Sequence, residues 1–259
     1  MNTPFIPNPQ QRKAQATFSQ AVEILITAVI KAMGYSAIVF VIMIFYFLMS
    51  EGIAAVGEVP LSVLLSTRWY PIEAYYGILP LIGGSLLVTI GATLFAVPIG
   101  LATAIYISEI APRWMREILK PIIEILAGLP SVVLGFIGII ALAPQLRVLL
   151  NLPTGLTALA GSILLGIIAI PTIVSVAEDA LDSVPRSYRD AALAIGATKW
   201  QTIMRVTLPA ARSGVLTAVM LGVGRAIGET MTVMMVTGNA PVMVRSLSAI
   251  FMPTRTMTA

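Results

Sequence analysis

The chain contains no cysteine and no histidine. It can therefore hold no disulfide, thiol nucleophile, imidazole base or Cys/His metal site. No Gly-Lys-Ser or Gly-Lys-Thr occurs, which excludes a P-loop around nucleotide phosphates. Charge is scarce as well. Only 11% of the 259 residues are Asp, Glu, Lys or Arg, against about 25% in an ordinary soluble domain. These absences point to a protein that is not an enzyme and needs no cofactor or metal.

What fills the space is apolar. Hydrophobic residues make up 58% of the chain, and the mean hydropathy is +0.93. A soluble core of this length could not hide so much apolar surface, so lipid must cover the remainder. The expectation is an all-α polytopic membrane protein. The net charge of +4 then reflects a bias of basic residues to one side of the bilayer rather than a nucleic-acid partner.

A helix rising 1.5 Å per residue needs about 20 residues to cross the hydrocarbon core. Weakly charged runs place the first crossing between Lys31 and Gly57. The second falls within Ala74–Ser108, where Pro80 separates a surface or re-entrant piece from the helix proper. The third runs from near Lys120 to Pro144, the fourth within Thr154–Ala177, and the fifth from about Ser213 to Val236. Residues 1–33 read as an N-terminal segment ahead of a membrane domain over 34–259. The segment has a Pro-rich start and no early apolar run, unlike a secretory signal. Eleven basic residues collect on one side: Arg12, Lys13, Lys31, Arg113, Arg116, Lys120, Arg186, Arg189, Lys199, Arg205 and Arg212. Four (Arg68, Arg147, Arg245 and Arg255) fall on the other. The positive-inside rule puts the N-terminus in the cytoplasm, as expected for a multi-pass bacterial plasma-membrane protein. The tail after Val244 is too short and polar to cross again.

The segment over 184–211, VPRSYRDAALAIGATKWQTIMRVTLPAA, reads as two short capped helices. Ser187 with Asp190, and Thr198 with Gln201, have capping-box spacing. Gly196 stands where a helix ends in a left-handed residue, and Pro209 stops the second helix. Ala191, Ala192 and Ala194 leave room for a partner backbone, while Trp200 and Ile203 offer larger apolar contacts. Spacing alone fits equally a helix pair lying on the bilayer surface. The wording of the loop resembles the EAA loop of permease subunits in ATP-binding-cassette importers. That pattern is Glu-Ala-Ala, three residues, Gly, nine residues, Ile, one residue, Leu-Pro. It stands here as Asp190-Ala191-Ala192, Gly196, Val206 and Leu208-Pro209, with Asp for Glu and Val for Ile. The resemblance implies a loop that seats on a cytosolic ATPase through Asp190, Ala191, Ala192 and Gly196.

Inside the fifth crossing lie Arg225 and Glu229, four residues apart and expected to meet on one helical face. Charges at mid-bilayer are costly, roughly 2.5–3.5 kcal/mol each on insertion scales. The pair is therefore either a structural salt bridge or a site for an anion in transit. Thr230, Thr232 and Ser131 are secondary hydroxyl donors, although hydroxyls within spans commonly bond to their own backbone. The stretches GVGRAIGETMTVMMVTGNAP, AIYISEIAPRWMREILKPIIEILAGLPSVVLGFIG and IPTIVSVAEDALDSVP resemble permease subunits of phosphate-importing ATP-binding-cassette systems. The resemblance implies the type I importer permease fold and phosphate passage past Arg225 and Glu229. It also implies three kinds of protein partner: a homologous permease half, cytosolic ATPase subunits and an extracytoplasmic phosphate-binding protein. It implies a sixth span too, which the sequence ends before, so the expectation is a chain cut short of the family's last helix.

Among lesser features, Pro130 and Pro171 are expected to interrupt spans three and four, and Gly128, Gly135 and Gly138 to permit close packing. Glu124 is expected to pair with Lys120, and Glu178 and Asp179 to be structural. Other readings remain open: a different oxyanion such as sulfate or molybdate, an ion-coupled anion carrier without an ATPase, or a membrane scaffold.

Overall fold

The structure, a computed structural model, describes residues 9–258. The Pro-rich first eight residues lie outside that range. The chain divides into two compact units, Met1–Leu61 and Ser62–Ala259. The first is dominated by helix α1 (Pro9–Glu58), whose stretch Val22–Ala54 is long and apolar enough to cross a membrane. No proline occurs between Pro9 and Pro60 to break it. The hydroxyls of Ser36 and Ser50 donate to carbonyls of their own helix, those of Met33 and Phe47, so neither burdens an apolar surface with an unmet donor.

After α2 (Leu61–Leu64) comes a small hairpin, β1 (Trp69–Tyr70) against β2 (Tyr75–Tyr76), antiparallel with Trp69 opposite Tyr76. Only β2 of this hairpin falls within the surface or re-entrant piece expected between Ala74 and Pro80. Pro80 sits in the first turn of α3 (Leu79–Ile105), where a missing N–H costs nothing. Next are α4 (Arg113–Gly128), α5 (Ser131–Ile137), α6 (Ala143–Leu149) and α7 (Ala158–Asp182). The 184–211 loop contains α8 (Arg186–Ala194), α9 (Lys199–Thr202) and α10 (Leu208–Ala210). It leads into α11 (Arg212–Gly228) and the short α12 (Met231–Val236).

Among the described residues four helical runs are long and apolar enough to span: Val22–Ala54, Leu79–Ile110, Ser131–Leu149 and Ala158–Asp182. A fifth arises if Lys199–Ala210 and Arg212–Gly228, bent by 74°, count together. The all-α polytopic expectation holds, but the bounds differ: the first run begins at Val22 rather than after Lys31, the fourth reaches Asp182 rather than Ala177, and the third and fifth depart further. The third crossing is Ser131–Leu149 rather than Lys120–Pro144, because Leu129 and Pro130 are extended and split off α4 as a separate amphipathic helix. Pro130 thus divides two elements instead of kinking one, whereas Pro171 lies inside an unbroken α7. The expected fifth crossing is interrupted at Glu229 and Thr230, between α11 and α12.

Pro144 does not stop its helix where expected, whereas the run that contains Pro209 ends at Ala210, as expected. A π-helical turn precedes each, over Gly138–Leu142 and Ile203–Thr207. In these turns the N–H groups of Ala143 and Leu208 reach back five residues, to Gly138 and Ile203. The widened turn moves carbonyls away from the proline ring, so that α6 accommodates Pro144 and runs on to Leu149.

Helix α7 forms the centre of the second unit, with α3 and α11 packed against it. Their contact faces are built of small residues: Ala92, Ala96, Ala104, Ala169, Ala177, Ala218 and Ala226 are all buried. Between lipid-facing helices no bulk hydrophobic force operates, so close van der Waals contact must hold them. Ile173, 1% exposed, is gripped from two sides. A Cβ on Gly100 would lie 2.8 Å from its Cγ2, and one on Gly222 would lie 2.3 Å from its Cγ1. The tail folds back on this bundle. The Met252 carbonyl accepts from Ala158 N–H (3.0 Å), Thr254 N–H donates to the Thr237 carbonyl (2.8 Å), and Met257 N–H donates to Ser85 Oγ (2.8 Å).

Gly222→Ala should overpack this contact and destabilise the protein by about 1–3 kcal/mol. Ile173→Ala should cost clearly less in that background than in the wild type. A double-mutant cycle of thermal melting in detergent checks this, and additive costs would mean that the two residues do not press on each other.

Candidate functional site

Arg225 lies in the last turn of α11, roughly 20 Å along the helix from Arg212 at 1.5 Å per residue. Its Nη1 donates to Thr172 Oγ1 on α7 (3.1 Å), and its Nη2 donates to the Ala127 carbonyl (3.1 Å). That carbonyl is free because α4 ends at Gly128: in the last turn of a helix the carbonyls have no partner above them. The break before Pro130 thus creates an acceptor that an uninterrupted third span would have consumed.

The expected Arg225–Glu229 pair does not form. Helix α11 stops at Gly228, and Glu229 is extended (φ −76°, ψ 123°), so the one-turn geometry is lost. Glu229 instead accepts from the backbone N–H of Thr232 (3.2 Å), one of the orphan donors in the first turn of α12. The Thr232 hydroxyl donates to the Ser131 carbonyl (2.9 Å). The structure therefore gathers Glu229, Thr232 and Ser131 where α12 meets the start of α5. Ser131 contributes its carbonyl there. Thr230 is exposed at the break. The Thr258 hydroxyl donates to the Glu229 carbonyl (3.2 Å). The space lined by Ser85, Thr89, Glu229, Thr256 and Thr258 is about 10 Å³, room for no more than one water. Four ion pairs occur among the described residues, and Arg225 belongs to none of them.

The 184–211 loop is held as a rigid bracket. Gly196 has φ +87°. Its N–H bonds the Leu193 carbonyl (3.0 Å), while Ala197 N–H bonds that of Ala192 (3.1 Å), the paired closure of a Schellman motif with glycine in the left-handed position. Thr198 and Gln201 form the expected capping box. Ser187 and Asp190 do not: Pro185 precedes α8 and no side chain caps it. Ala192 packs inward, whereas Asp190, Ala191, Ala194 and Gly196 are exposed. Ile203 is buried, but Trp200 stands out beside exposed Tyr188, Leu193, Ile195 and Met204.

Sequence reasoning missed what fastens this bracket. Arg189 donates to Glu109 Oε1 through Nη2 (2.6 Å) and Nε (3.0 Å). It also donates to the carbonyls of Val184 (2.7 Å) and Leu181 (2.8 Å). The side chains of Arg189 and Glu109 are 19% and 8% exposed, so the fork works in a partly dry setting where such bonds are strong. Nothing local in the sequence links two residues that far apart. Alongside, Lys120 pairs with Glu178 of α7 (2.6 Å) rather than with Glu124, and the bond to Glu178 raises its pKa above the ordinary lysine value. Glu178 thus joins α7 to α4 through this pair. Ser108 donates to Asp182 (2.5 Å), and Arg116 donates to the Ser108 carbonyl. These contacts bind α3, α4, α7 and α8 at one end of the bundle.

Comparison with known proteins bears on this arrangement. Residues 96–257 match the family model for the binding-protein-dependent transport system inner membrane component. The chain is 46% identical to the "Probable ABC transporter permease protein YqgH" of Bacillus subtilis over 73% of its length and 62% of the relative's. It is 35% identical to the "Phosphate transport system permease protein PstC" of Mesorhizobium japonicum over 76% of its length and 65% of the relative's. The chain thus spans a little under two thirds of the length of these curated relatives. A solved chain of the MetNI methionine ABC transporter in an inward-facing conformation aligns with a TM-score of 0.47 at 23% identity, covering 62% of this chain and 74% of that one.

Arg189→Met should strand the Glu109 carboxylate and cost about 3–5 kcal/mol, as breaking one side of a buried pair does. Hydrogen exchange in α8 should rise while exchange in the middle of α7 stays slow. Unchanged protection of α8 would mean that the fork does not hold the loop.

Proposed function

Because the chain belongs to the binding-protein-dependent transport system inner membrane component family, we propose that it is a permease subunit of an ATP-driven phosphate importer. In this reading it supplies half of the translocation pathway and performs no chemistry of its own. A homologous permease half completes the pathway, cytosolic ATPase subunits drive it, and an extracytoplasmic binding protein delivers the solute. The N-terminus and the 184–211 loop face the cytoplasm, in keeping with the distribution of basic residues.

The observation that carries the proposal is the state of Arg225. Its two bonds go to neutral acceptors, a hydroxyl and a carbonyl, and no carboxylate pairs with it among the described residues. A guanidinium has five donors, so three remain for a ligand. A charge kept within a membrane span without a counter-ion is costly, and an arriving oxyanion offsets that cost with charge-assisted, bidentate bonds. A permanent salt bridge to Glu229 would have removed this affinity. Glu229 and Thr230 line the neighbouring break and complete the proposed pathway. Phosphate is favoured over other oxyanions by the similarity to the phosphate transport permease PstC of Mesorhizobium japonicum.

Asp190, Ala191, Ala192 and Gly196 carry the proposed coupling to the ATPase, with the apolar side chains exposed around them as the contact surface. Gly196 acts through its backbone: a Cβ there would meet nothing within 4 Å, so only the left-handed φ restricts the position.

Two outcomes are expected when the chain is co-expressed with the other subunits. Arg225→Gln should reduce phosphate uptake to background while the complex still assembles, and excess sulfate should not compete with the wild type. Uptake by the variant at the wild-type rate would refute the pathway, and competition by sulfate or molybdate would refute the cargo. Gly196→Val, a β-branched residue at positive φ, should prevent copurification of the ATPase. Gly196→Asn, which tolerates that conformation, should preserve it. Equal copurification with both variants would exclude the loop as the coupling element.

A further inference from the structure

Most of α7 is buried, and along its whole length only three residues are exposed: Ser175, Asp179 and Asp182. None is apolar. With Thr172 they stand at i, i+3, i+7 and i+10, which is one face of the helix. The stripe starts at the residue that holds Arg225, whose Nη1 donates to Thr172 Oγ1 (3.1 Å). It runs about 15 Å along the axis to the last residue of the helix. Hydroxyls on other exposed helix faces return to their own backbone. Those of Ser36, Ser50 and Thr217 donate to carbonyls three or four residues back, and buried Ser162 of α7 does the same toward Ala158 (2.9 Å). Thr172 and Ser175 do not. Neither hydroxyl donates to an acceptor among the described residues. A donor left free on the polar face of an otherwise apolar span belongs against water or protein, not lipid.

We propose that the Thr172 and Ser175 hydroxyls are ligands of the transported anion, receiving it beside Arg225 and leading it toward the cytoplasmic end of α7. The inference rests on the reading of Arg225 as the fixed cation of the pathway. Thr172 accepts from the guanidinium and keeps its own O–H for the solute, so an oxyanion drawn to Arg225 meets both kinds of donor together. Ser175 offers a further O–H about 4.5 Å along the axis. An uncharged donor holds an anion less tightly than a second cation would, which suits a step in transit. The favourable stretch ends there. Asp179 takes the next place on the face and joins no ion pair among the described residues. Its carboxylate repels an anion and opposes lodging beyond Ser175.

The test uses the assembled transporter, with the chain co-expressed beside its partner subunits. The chain has no cysteine, so Ser175→Cys puts a single thiol on the stripe. A water-soluble, sulfonate-bearing thiol reagent added to inside-out vesicles should modify it, read as a mass shift of this chain, and millimolar phosphate should slow the reaction. Thr172→Val and Ser175→Ala should each lower phosphate uptake about tenfold, as loss of a hydrogen bond to a charged group does. Thr172→Ser should recover most of the rate. Because Ser175 makes no bond to Arg225, its effect separates a ligand from a residue that only holds the guanidinium in place. A Ser175→Cys thiol that stays unmodified would overturn the proposal, as would modification that phosphate does not slow, or uptake by Ser175→Ala at the wild-type rate. Normal uptake by Arg225→Gln would overturn the pathway reading itself. Loss of uptake in that variant, with normal uptake in Thr172→Val and Ser175→Ala, would overturn only the hydroxyl ligands.

Discussion

The distance between α7 and its two neighbours governs the second unit. Ile173 fills a slot that exists only because residues 100 and 222 lack side chains, and the alanines along α3, α7 and α11 keep the backbones equally close. The same contact sets the register of the site. Thr172 adjoins Ile173 in the chain, and Arg225 lies one turn beyond Gly222 on α11. When Gly222 closes on Ile173, the guanidinium is therefore brought within reach of the Thr172 hydroxyl. A looser helix pair would leave Arg225 without that partner, and the cost of its charge would rise.

Two helix breaks do the rest. Non-helical backbone at membrane depth is tolerated where protein or an aqueous cavity surrounds it. The break after α4 leaves the Ala127 carbonyl open to Arg225, and the break after α11 turns Glu229 away to serve the first turn of α12. The two charges are thereby separated by backbone geometry although they stand one helical turn apart in sequence. The result is a fixed cation with neutral partners, which holds its position yet keeps its field. A carboxylate in place of either acceptor would have neutralised it.

Membrane class, helix content and the capped 184–211 loop were legible in the sequence because each rests on local pattern: hydropathy runs, the Thr198–Gln201 spacing, a glycine at a helix end. The errors came where local pattern competes with register. Pro144 looks like a stop, yet a π-helical turn ahead of it absorbs the defect. Arg225 and Glu229 look like a one-turn pair, which presumes a helix that Gly228 ends. Lys120 looks committed to Glu124 on its own helix, but a buried carboxylate on α7 is the better partner because it has no water to satisfy it. The Arg189–Glu109 fork was invisible for a different reason: it depends on how the ends of α3 and α7 meet, and no spacing encodes that.

These contacts also decide where the unit can yield. Arg189 ties α8 to the end of α3 through Glu109 and to the end of α7 through the Leu181 carbonyl. From the other end of the loop, the run Lys199–Ala210 turns by 74° directly into α11. A displacement of the loop is therefore delivered to all three core helices at once, and their small-residue contacts resist sliding against one another. The compliant points are the non-helical segments Leu129–Pro130 and Glu229–Thr230, which join this core to α5 and α12. Arg225 is anchored across the first of these, with one bond to the core at Thr172 and one to the Ala127 carbonyl at the break. Motion absorbed there changes the surroundings of Arg225, which pairs with no carboxylate among the described residues; under the proposed function, that is the geometric condition for a push on the loop to alter how tightly an anion is held.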